Sequence, residues 1–216
     1  MDRTPIELES FHHVYNRGTD KRVVFNNVED YKFFIGYLNI LNDVEIKNSH
    51  VPATIRNGVS HSQETDRLVN IIAFCLMPNH FHMLLQELTA GGISKFMQKL
   101  STGYTMYFNE KNNRSGALFQ GRFKSKFVDS ELYLLKVIDY IHLNPKNLPG
   151  SLNYEWSSFH DYSGVNKFGD ILQIDALDGI TEIPKGEEYS IWLSSQGDFG
   201  DIDHLSIDSK EVPTGR

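Results

Sequence analysis

The stretch from Val69 to Leu88 constrains this chain more than any other. Val69 to Met77 and Phe81 to Leu88 are two runs dense in Val, Ile, Phe, Leu and Met, and between them lies Pro78-Asn79, a turn-forming pair. Runs joined this tightly predict an antiparallel hairpin. The elements around it follow from their own patterns. Phe11 to Asn16 reads as a first strand ending at Arg17-Gly18. Val28 to Leu38 has apolar residues at helical spacing behind Asn27, a good N-cap. Gly92 to Asn109 is helical by pattern, and Phe119 to Val128 reads as a strand or loop. Ser130 stands where a cap would start a helix running to about Asn144, ahead of Pro145. The order β-α-β-β-α-(β)-α predicts an α+β fold, an antiparallel sheet with helices packed on one side, of which the split βαβ, ferredoxin-like arrangement is the simplest version.

Two segments stay outside this alternation. Asn48 to Arg67 is polar, aperiodic and reads as a long loop. Beyond about Gly164 the chain is rich in Asp, Gly and Ser, and is expected to pack loosely except where Tyr189 to Leu193 could dock as a short helix. The expected organisation is a domain over residues 1–163, with its polar loop at about 48–67, and an acidic appendage over 164–216. The single Cys75 excludes an internal disulfide, and its apolar neighbours suggest a buried thiol in a reducing compartment. No run of apolar residues is long enough for a membrane span, and Met1 to Glu7 lacks the apolar core of a signal peptide, so the expected location is the cytoplasm.

A net charge of -7 argues against a nucleic-acid partner until it is divided along the chain. Residues 95–147 hold nine Lys and Arg against four Asp and Glu, whereas residues 161–216 hold four against twelve. The acidity belongs mostly to the tail. The middle is basic, and Arg17, Lys95, Lys99, Arg122, Lys124 and Lys126 are candidate phosphate contacts, with Phe119 or Phe123 available to stack on an unpaired base.

The chemistry sits in two motifs. His80-Phe81-His82 opens the second hairpin strand, where residues i and i+2 share a face, so both imidazoles project together while Phe81 enters the opposite layer. Two neutral imidazoles suit a divalent cation if another segment supplies a further donor; exposed strand histidines would show the same spacing. In the helix after Ser130, Tyr140 and Asn144 are four apart and stack on one face, as do Lys136 and Tyr140. This could present a phenol nucleophile one turn from an amide oxygen, with Lys136 easing phenolate formation. The same residues would also serve as a packing tyrosine and a helix C-cap. Tyr104 and Tyr107 match by residue type but lie in an apolar-periodic helix, where packing is favoured, and structural roles are favoured for His12, His13 and His142.

With both motifs in hand, the chain resembles the single-tyrosine HUH transposases of small insertion sequences, and especially their REP-associated branch. The resemblance runs over roughly residues 11–162. It rests on Tyr15-Asn16-Arg17-Gly18, Met77-Pro78-Asn79-His80-Phe81-His82, Leu118-Phe119-Gln120-Gly121-Arg122-Phe123-Lys124-Ser125, the tyrosine helix, and Trp156-Ser157-Ser158-Phe159. It implies HUH nuclease architecture, Mg²⁺ or Mn²⁺ held by His80, His82 and Asn144, and Tyr140 as nucleophile; related enzymes often carry Gln where this chain has Asn144. It also implies cleavage and rejoining of single-stranded DNA at REP-like hairpins through a 5′-phosphotyrosine link, with no membrane partner; the REP-associated branch points to a monomer with the tyrosine in cis, the insertion-sequence relatives to a homodimer with the tyrosine in trans, and the block pattern favours the monomer. Two other readings are a catalytically inactive, domesticated hairpin-binding protein and a two-histidine hydrolase of small phosphoesters. The acidic tail is expected to cover part of the basic surface, so that deleting residues 165–216 would raise hairpin affinity.

Overall fold

A computed structural model of the chain describes residues 8–46, 66–148 and 153–195. The hairpin forms as its sequence requires, from β2 (Val69–Met77) and β3 (His80–Glu87), with Met77 opposite His80 across the Pro78-Asn79 turn. Its alternation slips once: Ile71 pairs with Leu85 and Ala73 with Leu84, so Ile72 is a bulge and the parity of β2 changes there. β1 (Phe11–Arg17) lies on the other edge of β3, with Tyr15 opposite His82 and Arg17 opposite His80. β4 (Lys124–Val128) completes the sheet beside β1, giving the order β2-β3-β1-β4 with neighbours antiparallel. This is the strand order of a split βαβ fold, the α+β architecture expected from the element sequence.

Helices cover both faces of the sheet, not one. On the first face, α1 (Val28–Ile40) and α2 (Gly92–Lys111) pack Phe34, Leu38, Phe96, Leu100 and Tyr104 onto Val14, Phe74, Leu76, Phe81, Met83 and Leu85. On the second, α3 (Glu131–Leu143) packs Leu134, Val137, Ile138 and Ile141 onto Phe11, Ile72, Ala73, Cys75, Met77 and Leu84. The reason is in β2 and β3 themselves: nearly every residue in them is buried, which a sheet with one wet face cannot provide.

Local chemistry fixes the helix ends. Asn27 Oδ1 accepts from the Asp30 amide at 3.2 Å and caps α1. The buried Glu87 carboxylate accepts from the amides of Gly91 at 2.7 Å and Ile93 at 3.0 Å, so the end of β3 neutralises the positive end of α2. Ser130 precedes α3 but makes no side-chain cap bond. Where α1 and α2 cross, Gly103 is required: a Cβ there would stand 2.6 Å from the Tyr37 ring.

Two sequence blocks turn out to be joints. Leu76 N donates to Trp156 O at 2.9 Å and Ser158 N to Phe74 O at 3.0 Å, so residues 156–158 cover the free edge of β2 ahead of α4 (Phe159–Tyr162). Trp156 stacks on Tyr31 of α1 at 4.5 Å. The Arg17-Gly18 end of β1 zips to residues 118–121, through Gln120 N to Arg17 O at 2.8 Å and Asn16 Nδ2 to Gly121 O at 3.1 Å.

The first half of the tail is part of the core. Leu177, with Tyr189 and Leu193 of α5 (Glu187–Ser195), is buried against α3, and Gln173 exchanges two hydrogen bonds with the Ile71 backbone. The short helix expected at 189–193 does form, and the mostly exposed segment leading to it is anchored at Gln173 and Leu177. The polar loop, apart from Asp66 and Arg67, and the tail beyond Ser195 lie outside the described residues. Among the described residues no helix is long and apolar enough to cross a membrane.

Candidate active site

The alternation of β3 sends Phe81 into the α1–α2 layer and both His80 and His82 to the face under α3, their ring centroids 5.3 Å apart and their planes perpendicular. The apolar stripe of α3 lies on the sheet, which brings the flank carrying Tyr140 over the histidines. The Tyr140 ring stands edge-on to His82 at 5.3 Å and to His13 at 5.8 Å. One turn further on, Asn144 Oδ1 lies 3.0 Å from His80 Nε2. All four residues singled out for catalysis and metal binding therefore meet, from two elements far apart in sequence. The basic flank is set by register: Lys124 pairs with Tyr15 and Lys126 with His13, so both lysines share the histidine face, and Arg17 sits beside His80. Arg122 is exposed in the turn before β4.

The donor set fits a cation. Asn79 Nδ2 donates to Lys21 O at 3.1 Å, which leaves Asn79 Oδ1 to accept from His80 Nδ1 at 2.6 Å. In a neutral His80 the proton is then on Nδ1, and the Nε2 lone pair faces the Asn144 oxygen, itself an acceptor, at 3.0 Å. Two acceptors turned toward one another repel unless something positive lies between or beside them, so the pair would hold a divalent cation. His82 is buried, and burial, reinforced by charge repulsion from His13 and His80, holds its pKa well below the usual imidazole value, so its imidazole is neutral. Its Nδ1 is engaged by His13 Nε2 at 2.8 Å, which leaves Nε2 for a metal. Among the described residues there is no group of three His, Cys, Asp or Glu that could hold a metal ion; the further oxygen facing the histidines is that of the Asn144 amide.

Other candidates do not join this site. Phe123 and Phe119 are buried in the α1–α2 layer, so neither has a face to offer a base. Lys95 and Lys99 are on α2, across the sheet from the histidines, and Lys99 Nζ is spent on Asp43 O at 2.7 Å. Tyr104 is fully buried there and Tyr107 bonds Asp30 at 3.0 Å, which are packing roles. His142 is buried between the Tyr189 hydroxyl at 2.6 Å and Ser158 Oγ at 2.8 Å. Sequence reasoning missed the contributions of Tyr15, stacked on His82 at 5.5 Å, and of His13. The alternation of β1 places residues 11, 13, 15 and 17 on one face, but only the register with β3 reveals what that face meets.

A split βαβ sheet whose second hairpin strand offers two histidines to a tyrosine and an amide from the end of a crossing helix is the arrangement that the resemblance to the single-tyrosine HUH transposases implies. The model of the family described as IS200-like transposases matches residues 45–144, a span that contains His80, His82, Tyr140 and Asn144. The solved structure of a REP-associated tyrosine transposase bound to a REP hairpin has the same fold, with a TM-score of 0.52 and 16% sequence identity over 86% of this chain and 95% of that one. No curated protein sequence matches the chain.

Proposed function

We propose that this transposase cleaves and rejoins single-stranded DNA at REP-like hairpins, using Tyr140 as nucleophile in a centre completed by Mg²⁺ or Mn²⁺. The observation that carries the reading is the meeting of Tyr140 with His82 while Asn144, one turn away on the same helix, reaches His80. His80, His82 and Asn144 would hold the cation, which supplies Lewis-acid polarisation of the scissile phosphodiester. The Tyr140 oxygen attacks phosphorus, its proton passing to solvent. The bond from phosphorus to the 3′ oxygen breaks, that oxygen gains a proton as a free 3′-hydroxyl, and the 5′ phosphate stays on the tyrosine. Attack by a second strand's 3′-hydroxyl reverses the step, so rejoining needs no external energy source. Lys124, Lys126, Arg122 and Arg17 lie where they would hold the phosphates of a strand crossing this face. The tyrosine and the histidines meet within one chain, which supports a monomer acting in cis.

The test is cleavage of an end-labelled REP-type hairpin in Mg²⁺ or Mn²⁺. Wild type should release a labelled fragment, while His80→Ala, His82→Ala and Tyr140→Phe should not. Binding without cleavage by wild type in both metals would instead favour the inactive, hairpin-binding alternative.

A further inference from the structure

His13 has no place in the chemistry above, yet it is fully buried and one of its ring nitrogens lies 2.8 Å from His82 Nδ1. Tyr15 is directly opposite His82, so His13 is its diagonal neighbour on the same sheet face, within reach of a long side chain. The two rings lie within 16° of parallel at 5.0 Å, and His13 Nε2 meets His82 Nδ1 at 2.8 Å. Two neutral imidazoles share one proton in such a bond, and it can belong to either ring.

The two placements are not equivalent for His82. If His13 donates, His82 Nδ1 accepts, and a neutral His82 must carry its proton on Nε2, aiming an N–H into the position a cation would take. If His13 accepts, the proton is on His82 Nδ1 and Nε2 keeps its lone pair. We propose that His13 is a positioning residue: by accepting the Nδ1 proton of His82 it fixes the orientation and the tautomer in which that histidine ligates a divalent cation. It takes the part usually played by a carboxylate or a backbone carbonyl behind a metal-bound histidine. His80 receives the same service from Asn79 Oδ1 at 2.6 Å, so each proposed histidine ligand has its own acceptor behind it.

This inference rests on the proposed metal centre, and the test separates the two. Mn²⁺ binding to the full chain is measured calorimetrically and by electron paramagnetic resonance, without DNA. His13→Phe, which keeps a ring but offers no acceptor, should weaken Mn²⁺ about 10- to 100-fold. His13→Gln, whose amide oxygen can accept from the same N–H, should restore most of the affinity. Equal affinity in wild type and His13→Phe would overturn the role of His13 and leave the metal centre standing. Wild type with no saturable Mn²⁺ binding sensitive to His80→Ala would bring down the metal centre, and the role of His13 with it. A readout that needs no variant to fold is the long-range ¹⁵N–¹H spectrum of metal-free wild type. His82 should be protonated at Nδ1, and a proton on Nε2 would overturn the assignment.

Discussion

His80 gives its Nδ1 proton to Asn79 on its own strand turn and turns its Nε2 lone pair to the oxygen of Asn144, the residue that ends α3. Asn144→Ala removes one of these two facing acceptors. No hydrogen bond is lost, so the melting temperature should stay within about 2 °C of wild type. Hairpin cleavage should nevertheless fall roughly tenfold or beyond, because a proposed ligand is gone; a variant cleaving at the wild-type rate would remove Asn144 from the centre. The lysines divide in the same way. Lys126→Gln should flatten the salt dependence of single-stranded DNA binding by about 0.7 in log–log slope, whereas Lys95→Gln, across the sheet, should leave the slope unchanged. At this scale the sequence was legible wherever one strand or one helix decides the neighbours: the i, i+2 histidines share a face, and Tyr140 and Asn144 share another. It was not legible where register decides. His13 joins the site, and of the basic candidates Lys126 stands beside it while Lys95 and Lys99 do not, because of strand pairings and a choice of sheet face that no single segment encodes.

At the level of elements, the tyrosine helix is held from two sides. The sheet takes its apolar stripe, and α5 takes the flank next to Tyr140: Trp192 Nε1 donates to Asp139 Oδ2 at 3.2 Å, and the Tyr189 hydroxyl lies 3.4 Å from Asp139 Oδ1. Burial pushes the Asp139 pKa up from 3.8 to about 6, and the bonds from Trp192 and Tyr189 pull against that rise. The folded chain thus binds this proton more tightly than the unfolded chain does. Asp139 favours folding below about pH 4, and that contribution is lost as pH rises through about 6. Asp139→Asn cannot titrate, so its stability relative to wild type should improve between pH 4 and pH 7.5 by up to about 3 kcal/mol. Urea denaturation of both proteins at the two pH values measures the difference, and an unchanged difference would mean that the carboxyl is not held in this environment. The apolar stripe of α3 was readable from its spacing, but a stripe does not say which face of a sheet it will cover. That is why helices on one side were expected and helices on both were found.

For the whole molecule, the charge map changes meaning once the tail is placed. The span from Gln173 to Ser195 is not a removable shield: Leu177, Tyr189 and Leu193 are buried with α3, each worth roughly 1.5–3 kcal/mol of burial. Deleting residues 165–216 should therefore cost most of the stability of an ordinary domain and yield an unfolded chain, not one with raised hairpin affinity. A cooperative wild-type-like melt from that deletion would refute the packing of residues 173–195. The acidic composition hid this because the few apolar residues that anchor the segment are spaced too far apart to show a period. The central claim, that Tyr140 attacks DNA from within this centre, is tested most directly by incubating wild type with a REP-type hairpin and Mn²⁺, digesting the denatured product with nuclease and protease, and locating the modified peptide by mass spectrometry. The account predicts a nucleotide joined through its 5′ phosphate to Tyr140; an adduct on any other residue, or hairpin cleavage with no adduct on the protein, would contradict it.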